Sequence, residues 1–182
     1  MKKIKTLWES EGKTPNGDSF MTIKMARDYY VYAERGGRDS IAFILFNNKT
    51  KQFGLILETK PPMDERENKE SQMITAFGGS IDMGDKVTYQ EICKTEVLEE
   101  AGYVVPLDRI LFTGVSPVST QMSQMCSTYL VDITDIQKTE VAEYESSTDN
   151  IKWMNINELM NNGEWKSIYI WCNAVYKDFI KK

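Results

Sequence analysis

The chain has 182 residues, the length of one domain with a modest extension, and its 41% hydrophobic and 27% charged content is that of an ordinary globular protein. A net charge of −5 argues against a nucleic-acid partner, because nucleic-acid-binding proteins present basic surfaces. No segment has the length and apolarity of a signal peptide or membrane span, and the three cysteines are widely separated, so we expect a cytoplasmic protein with free thiols and no membrane partner.

The chain contains no histidine. A general base would therefore be a carboxylate, lysine, tyrosine or cysteine. A metal site would be built mainly from oxygen atoms, which favours Mg²⁺, Mn²⁺ or Ca²⁺ and argues against zinc.

The first half of the chain predicts strands. Residues 20–37, FMTIKMARDYYVYAERGG, suggest one or two exposed strands closed by glycines. The apolar runs SIAFILF (40–46) and QFGLILE (52–58) flank a short turn and predict a buried β-hairpin. A charged loop with paired prolines follows, and MITAFGG (73–79) then predicts a short strand.

The second half predicts two helices with strands between them. The first helix spans about Thr88 to Ala101 and ends at Gly102, which is suited to the left-handed conformation that terminates helices. Three further segments predict strands: DRILFTGVSPV (108–118), MCSTYLVDI (125–133) and IKWMNI (151–156). A C-terminal amphipathic helix is predicted from four apolar residues at helical spacing: Ile168, Trp171, Val175 and Phe179. This order of elements predicts an α+β fold with a mixed sheet between helices.

Three glutamates of the first helix, Glu96, Glu99 and Glu100, share one arc of its surface beside an apolar stripe. Like charges at this spacing destabilise a helix by about 0.2–0.5 kcal/mol per pair, and these lie at the negative end of its dipole. A divalent cation would make each of these interactions favourable. The alternative is a solvated acidic face, which is the usual role of a charge run.

The surrounding sequence GGSIDMGDKVTYQEICKTEVLEEAGY (78–103) resembles the Nudix box, G-x5-E-x7-R-E-U-x-E-E-x-G-U, where U is aliphatic. Gly79 and Asp85 match the first part, with Asp in place of Glu. The second part is matched by Glu96, Val97, Glu99, Glu100 and Gly102, with Tyr103 in the last position. Nine residues, where the box has seven, separate Asp85 from the arginine position, which is occupied by Thr95.

The chain is identified by this resemblance with the Nudix hydrolase family, and its flanking segments are most similar to the branch that hydrolyses nucleoside-diphosphate sugars (UDP-sugars) and ADP-ribose. The resemblance implies the Nudix fold, a mixed β-sheet sandwiched between helices (α/β/α). It implies a hydrolase domain at residues 38–182, preceded by an N-terminal extension at 1–37 whose exposed strands favour a homodimer.

The activity implied is metal-dependent cleavage of the pyrophosphate bond of a nucleoside diphosphate linked to a small group, an NDP-sugar or ADP-ribose. The products are a nucleoside monophosphate and a phosphorylated remainder. Mg²⁺, with Mn²⁺ as a substitute, would be the cofactor, since it binds a few carboxylates together with substrate phosphate.

Site residues follow from the same resemblance. Glu96, Glu99 and Glu100 would hold the metal together with Gly79, and Glu143 or Glu145 in the acidic loop would act as general base. Substrate contacts are expected from Gly78, Asp85, Lys60, Gln121 and Ser123. For Lys60 and the loop residues, ordinary surface roles compete with these functions.

Two other functions remain open. Thr95 can supply a hydroxyl but no charge at the position where the family's arginine orients a catalytic glutamate. This departure suggests a non-catalytic domain that senses nucleotide sugars. A nucleoside triphosphate pyrophosphatase is the third candidate, because the box is shared among these activities.

Overall fold

The computed structural model describes residues 4–14, 17–36, 39–59, 71–81, 87–139 and 150–180. The strands in these ranges are β1 (Ile4–Glu9), β2 (Met21–Ala26), β3 (Tyr30–Arg35), β4 (Ser40–Asn47), β5 (Gln52–Thr59), β6 (Gln72–Thr75), β7 (Phe77–Ser80), β8 (Ile110–Pro117), β9 (Met125–Asp132) and β10 (Ile151–Met154). The helices are α1 (Tyr89–Ala101), α2 (Ile156–Asn162) and α3 (Trp165–Tyr176), with a 3₁₀ turn at Leu107–Arg109.

The N-terminal strands form an antiparallel sheet of their own in the order β1-β2-β3. The sequence predicted one or two strands here, and β1 was not among them. This sheet is fastened to the loop between β8 and β9, because Ala33 N donates to Gln121 O (2.8 Å) and Ser123 N donates to Ala33 O (3.1 Å). The predicted boundary at residues 37 and 38 lies outside the described residues.

The central sheet has seven strands, with the order β10-β5-β4-β9-β8 along its main path. Strands β4 and β9 run parallel and the other pairs are antiparallel, so the sheet is mixed, as predicted. The predicted hairpin of buried strands is confirmed, with Phe46 opposite Phe53 in its register.

The central sheet splits between β4 and β5. These strands pair near their turn, from Leu45 opposite Gly54 onward, and farther from the turn each takes a different partner. Strand β6 pairs with β5, whereas β7 pairs with β4. The sequence predicted one short strand in this segment. There are two, because the chain changes its pairing partner at Ala76, which lies where β6 and β7 diverge.

Helices cover both faces of the central sheet. Alternate residues of β4 point to opposite faces. Ile41, Phe43 and Leu45 belong to a core that includes the buried face of α1. Ala42, Ile44 and Phe46 belong to a second core with the buried residues of α2 and α3. The α+β class and the α/β/α layering predicted from the sequence are therefore confirmed.

The C-terminal helix packs on the core through the predicted residues Trp171 and Val175, and also through smaller residues that its pattern did not predict. Its buried residues are Ser167, Ile170 and Ala174, whereas Ile168, Trp171 and Val175 are only half-buried. Phe179 lies beyond the helix end and is 38% exposed. The small side chains of Ser167 and Ala174 let the helix approach the sheet closely, which the spacing of large apolar residues did not reveal.

Helix α2 was not predicted, although Asn155 and Glu158 form a capping box at its start. No helix in the described ranges is long and apolar enough to cross a membrane.

Candidate functional site

Helix α1 is fixed at both ends by local interactions. The Thr88 side chain accepts from Glu91 N (3.2 Å), and Glu91 Oε2 accepts from Thr88 N (2.8 Å). Hydrogen bonds from Thr88 N and from the Thr88 hydroxyl to Glu91 Oε2, both at 2.8 Å, lower the pKa of Glu91 below its usual value. An N-cap of this kind contributes about 1 kcal/mol to helix stability. At the other end, Gly102 adopts φ 76°, and its N–H donates to Leu98 O (2.9 Å).

The apolar side of α1 sets the orientation of its glutamates. Cys93, Val97 and Ala101 are fully buried against the central sheet, as the sequence predicted. The side chains of Glu96, Glu99 and Glu100 are consequently held at the edge of this contact, where each residue is half-buried. Gln90 fixes the helix further by donating to Leu107 O and Ile110 O, both at 2.8 Å.

Glu96 lies against β7 at Gly79. This glycine is paired with Ile41 of β4, and a Cβ atom added to it would be 2.1 Å from Glu96 Oε1 and 2.3 Å from Glu96 Cδ. The glutamate side chain therefore occupies space that any other residue at position 79 would fill.

The carboxylate of Glu100 lies in an environment that disfavours its charge. Burial raises its pKa above the usual range, and the neighbouring carboxylates of Glu58 and Glu99 raise it further. Glu58, at the far end of β5, accepts a hydrogen bond from Thr75 Oγ1 at 2.5 Å. Carboxylates from a helix and a strand are thus brought together here despite their repulsion.

A cavity of about 400 Å³ lies in the split of the central sheet. Its acidic wall includes Glu58 and Glu100, next to the two glycines of β7, Gly78 and Gly79. Glu164 and Lys166, at the start of α3, also line it. The cavity is therefore bounded by residues from both faces of the sheet.

The cavity is also lined by Arg35 at the end of β3, and by Gln124 and Val118 from the loop joining β8 to β9. The guanidinium of Arg35 lies 5.2 Å from the centre of the Phe20 ring. The sequence did not predict Arg35, Lys166 or Glu58 as site residues.

Only some of the residues predicted to contact substrate lie at the cavity. Gly78 lines the cavity. Gln121 and Ser123 are exposed, their backbone atoms pair with Ala33, and neither is among the residues that line the cavity. Their role in substrate binding stays a prediction. The remaining site predictions fall outside the described residues: Lys60, Asp85, Glu143 and Glu145.

The side chain of Thr95 interacts with its own helix. Its hydroxyl donates to Glu91 O at 3.3 Å, one turn back along the helix, and the residue is exposed. The hydroxyl is thereby directed to the helix backbone.

The buried cysteines are poor candidates for a nucleophile. Burial raises the pKa of both Cys93 and Cys126, and the carboxylate of Glu96 raises that of Cys93 further. Since the thiolate is the reactive form, neither group has the environment of a catalytic thiol.

The side chains of Glu96, Glu99 and Glu100 are chemically suited to bind a hard divalent cation. Their donor atoms are oxygen atoms alone, and a cation would relieve the repulsion that raises the pKa of Glu100. Within the described ranges, however, no three acidic, histidine or cysteine side chains converge closely enough to hold a metal ion as they stand. A cation at Glu96, Glu99 and Glu100 would have to draw these flexible side chains inward or recruit further oxygen ligands.

Comparison with known proteins supports the fold. No protein-family model and no curated protein matches the sequence. Among solved structures, the crystal structure of an ADP compounds hydrolase is similar to this chain with a TM-score of 0.57 and 14% sequence identity. The match covers 97% of this chain and 94% of that chain. At this identity the likeness shows the fold alone, and it agrees with the predicted α/β/α architecture.

Proposed function

We propose that this protein is a metal-dependent hydrolase that cleaves the pyrophosphate bond of a nucleoside diphosphate linked to a small group, an NDP-sugar or ADP-ribose. The main observation in support of this proposal is the contact between helix α1 and strand β7 beside the cavity. There Glu96 lies over a glycine, and Glu100 is held close to two other carboxylates. A divalent cation bound here would replace repulsion among these carboxylates with attraction.

Glu96, Glu99 and Glu100 would hold the metal, together with the carbonyl oxygen of Gly79. When bound, Mg²⁺ or Mn²⁺ supplies neutralisation of phosphate charge and activation of water. The chain itself positions the substrate. Strand β7 presents Gly78 without a side chain at the cavity, so a diphosphate can approach the backbone there. A carboxylate of the acidic loop, Glu143 or Glu145, would accept the proton of the attacking water.

Two further observations support this assignment. The cavity volume, about 400 Å³, is in the range of small-molecule sites. The structural neighbour is named as a hydrolase of ADP compounds, which suggests a nucleoside diphosphate derivative as the substrate of this chain as well.

A non-catalytic nucleotide-sugar sensor is the second candidate. It is favoured by Thr95, which carries no charge and whose hydroxyl donates to the helix backbone at Glu91 O. Such a domain would bind sugar nucleotides without turning them over.

The test is a substrate panel with Mg²⁺ or Mn²⁺ that covers NDP-sugars, ADP-ribose, dinucleoside polyphosphates and nucleoside triphosphates, with chromatographic identification of the products. We expect a nucleoside monophosphate from one or more of the diphosphate-linked substrates, and loss of this product in Glu99→Gln. Glu11→Gln, which removes an exposed acid of the N-terminal segment, is the matched control.

Release of no monophosphate from any compound would exclude the enzyme. Calorimetric binding of the same compounds without turnover would establish the sensor. Hydrolysis confined to nucleoside triphosphates would replace the proposed substrate class.

A further inference from the structure

Both helix layers contribute charged side chains to the cavity. Helix α1 and strand β5 supply carboxylates, Glu100 and Glu58. The start of α3, which packs on the other face of the sheet, supplies Lys166. Both reach the same space because the central sheet is split there.

Lys166 is held beside the cavity by a loose ion pair. Its Nζ lies 4.0 Å from Glu164 Oε2 and 5.8 Å from the centre of the Trp165 ring. Glu164 is itself tied to the point where the sheet divides, because its Oε1 accepts from Ala76 N at 3.3 Å. A separation of 4.0 Å is the limit of an ion pair, so little energy holds the ammonium in this position.

Lys166 and Arg35 are the cationic side chains among the described residues that line the cavity. A nucleoside diphosphate derivative carries negative charge on both of its phosphates, and the same cavity is lined by Glu58, Glu100 and Glu164. A metal at the α1 glutamates would neutralise the phosphate that it contacts. The other phosphate needs a separate positive charge to enter an acidic cavity.

We propose that Lys166, assisted by Arg35, binds the substrate phosphate that the α1 glutamates and their metal do not engage. This inference rests on the proposed function for the identity of the substrate. Lys166 has three donors on a flexible stem, so it can leave Glu164 for a phosphate oxygen while Glu164 keeps its bond to Ala76. The diphosphate would then lie across the split, between groups carried by opposite faces of the sheet.

The experiment measures phosphate binding without turnover. The affinities of inorganic phosphate and of AMP are determined by calorimetry in EDTA for the wild type, Lys166→Gln and Lys166→Arg. Lys152→Gln, which removes an exposed lysine of β10, is the charge-matched control. We expect Lys166→Gln to weaken binding about tenfold, Lys166→Arg to restore most of it, and Lys152→Gln to leave it unchanged. Arg35→Gln should weaken it as well.

Thermal unfolding of each variant verifies that the fold is retained. Equal affinities for Lys166→Gln and Lys152→Gln, or no binding of either probe to the wild type at millimolar concentration, would overturn the proposed phosphate contact. A wild type that hydrolyses no substrate, but binds phosphate in a Lys166-dependent way, would refute the proposed function while leaving the phosphate site in place.

Discussion

The side chain of Glu96 lies over Gly79, in the space that a side chain at residue 79 would occupy. A Cβ at this glycine would be 2.1 Å from Glu96 Oε1 and 2.8 Å from Glu96 Cγ, well inside contact distance. The three atoms that crowd this position all belong to the Glu96 side chain, so the glycine makes room for that side chain. The position of the Glu96 carboxylate therefore depends on the absence of a side chain at residue 79.

We expect Gly79→Ala to remove activity while leaving the fold intact. The backbone at residue 79 does not have a positive φ, so alanine is compatible with the strand, and the change in unfolding free energy should stay within about 1 kcal/mol. The Glu96 side chain must move away, and a displacement of this size costs about a hundredfold in turnover. Activity is measured as kcat, and the free energy of unfolding is measured by urea denaturation.

Gly12→Ala is the matched control for this prediction, because nothing lies within 4 Å of a Cβ at residue 12. If Gly79→Ala kept full activity, the observed position of Glu96 would be irrelevant to catalysis.

Glu100→Gln should abolish turnover and yet stabilise the metal-free protein at neutral and alkaline pH. Burial, Glu58 and Glu99 raise the pKa of Glu100 in the folded state. A carboxyl group with a raised folded-state pKa favours folding below its unfolded pKa. That contribution is lost as the pH rises through the folded pKa. Glutamine is neutral throughout, so the variant should be more stable than the wild type above this range and equal to it in acid.

Urea unfolding in EDTA across this pH range tests the sign of the difference in unfolding free energy between the variant and the wild type. A variant that is less stable than the wild type at alkaline pH would mean that the ionised Glu100 contributes a favourable contact to the fold.

Removal of metal should lower the stability of the wild type. A cation that binds only the folded state stabilises it by about 2.7 kcal/mol when its concentration is a hundred times its Kd. Mg²⁺ or Mn²⁺ should therefore raise Tm, EDTA should reverse the increase, and the double variant Glu99→Gln/Glu100→Gln should show none. Calorimetric scanning measures this without any substrate. An equal Tm increase in the double variant would place the cation elsewhere on the protein.

The sequence was sufficient to predict α1 because its determinants are local. Thr88 and Glu91 form the cap, Cys93 and Val97 give the apolar spacing, and Gly102 ends the helix. Each signal lies within a few residues of the element that it defines. The hairpin of β4 and β5 was predictable for the same reason, since both strands are continuous apolar runs around one turn.

The cavity could not be predicted in this way, because it depends on pairings between distant segments. Its split arises where Ile56 pairs with Thr75 while Ala42 pairs with Gly78, and no single stretch of sequence encodes that division. Lys166 lies at the start of a helix whose fully buried residues, Ser167, Ile170 and Ala174, were not part of the predicted apolar pattern. Strand order and layer packing bring such residues to the cavity wall, and both are properties of the whole chain.

Glu164→Gln provides an independent test of the phosphate contact. Glutamine keeps a side-chain oxygen that can accept from Ala76 N, so the split of the sheet should be preserved. It removes the charge that lies 4.0 Å from Lys166 Nζ and one of the negative charges that line the cavity. We therefore expect phosphate and AMP to bind about two- to fivefold more tightly in EDTA. The gain should shrink in Glu164→Gln/Lys166→Gln, because no ammonium is then released and only the lower negative charge of the cavity remains. Weaker binding in the single variant would show that Glu164 itself holds the ligand.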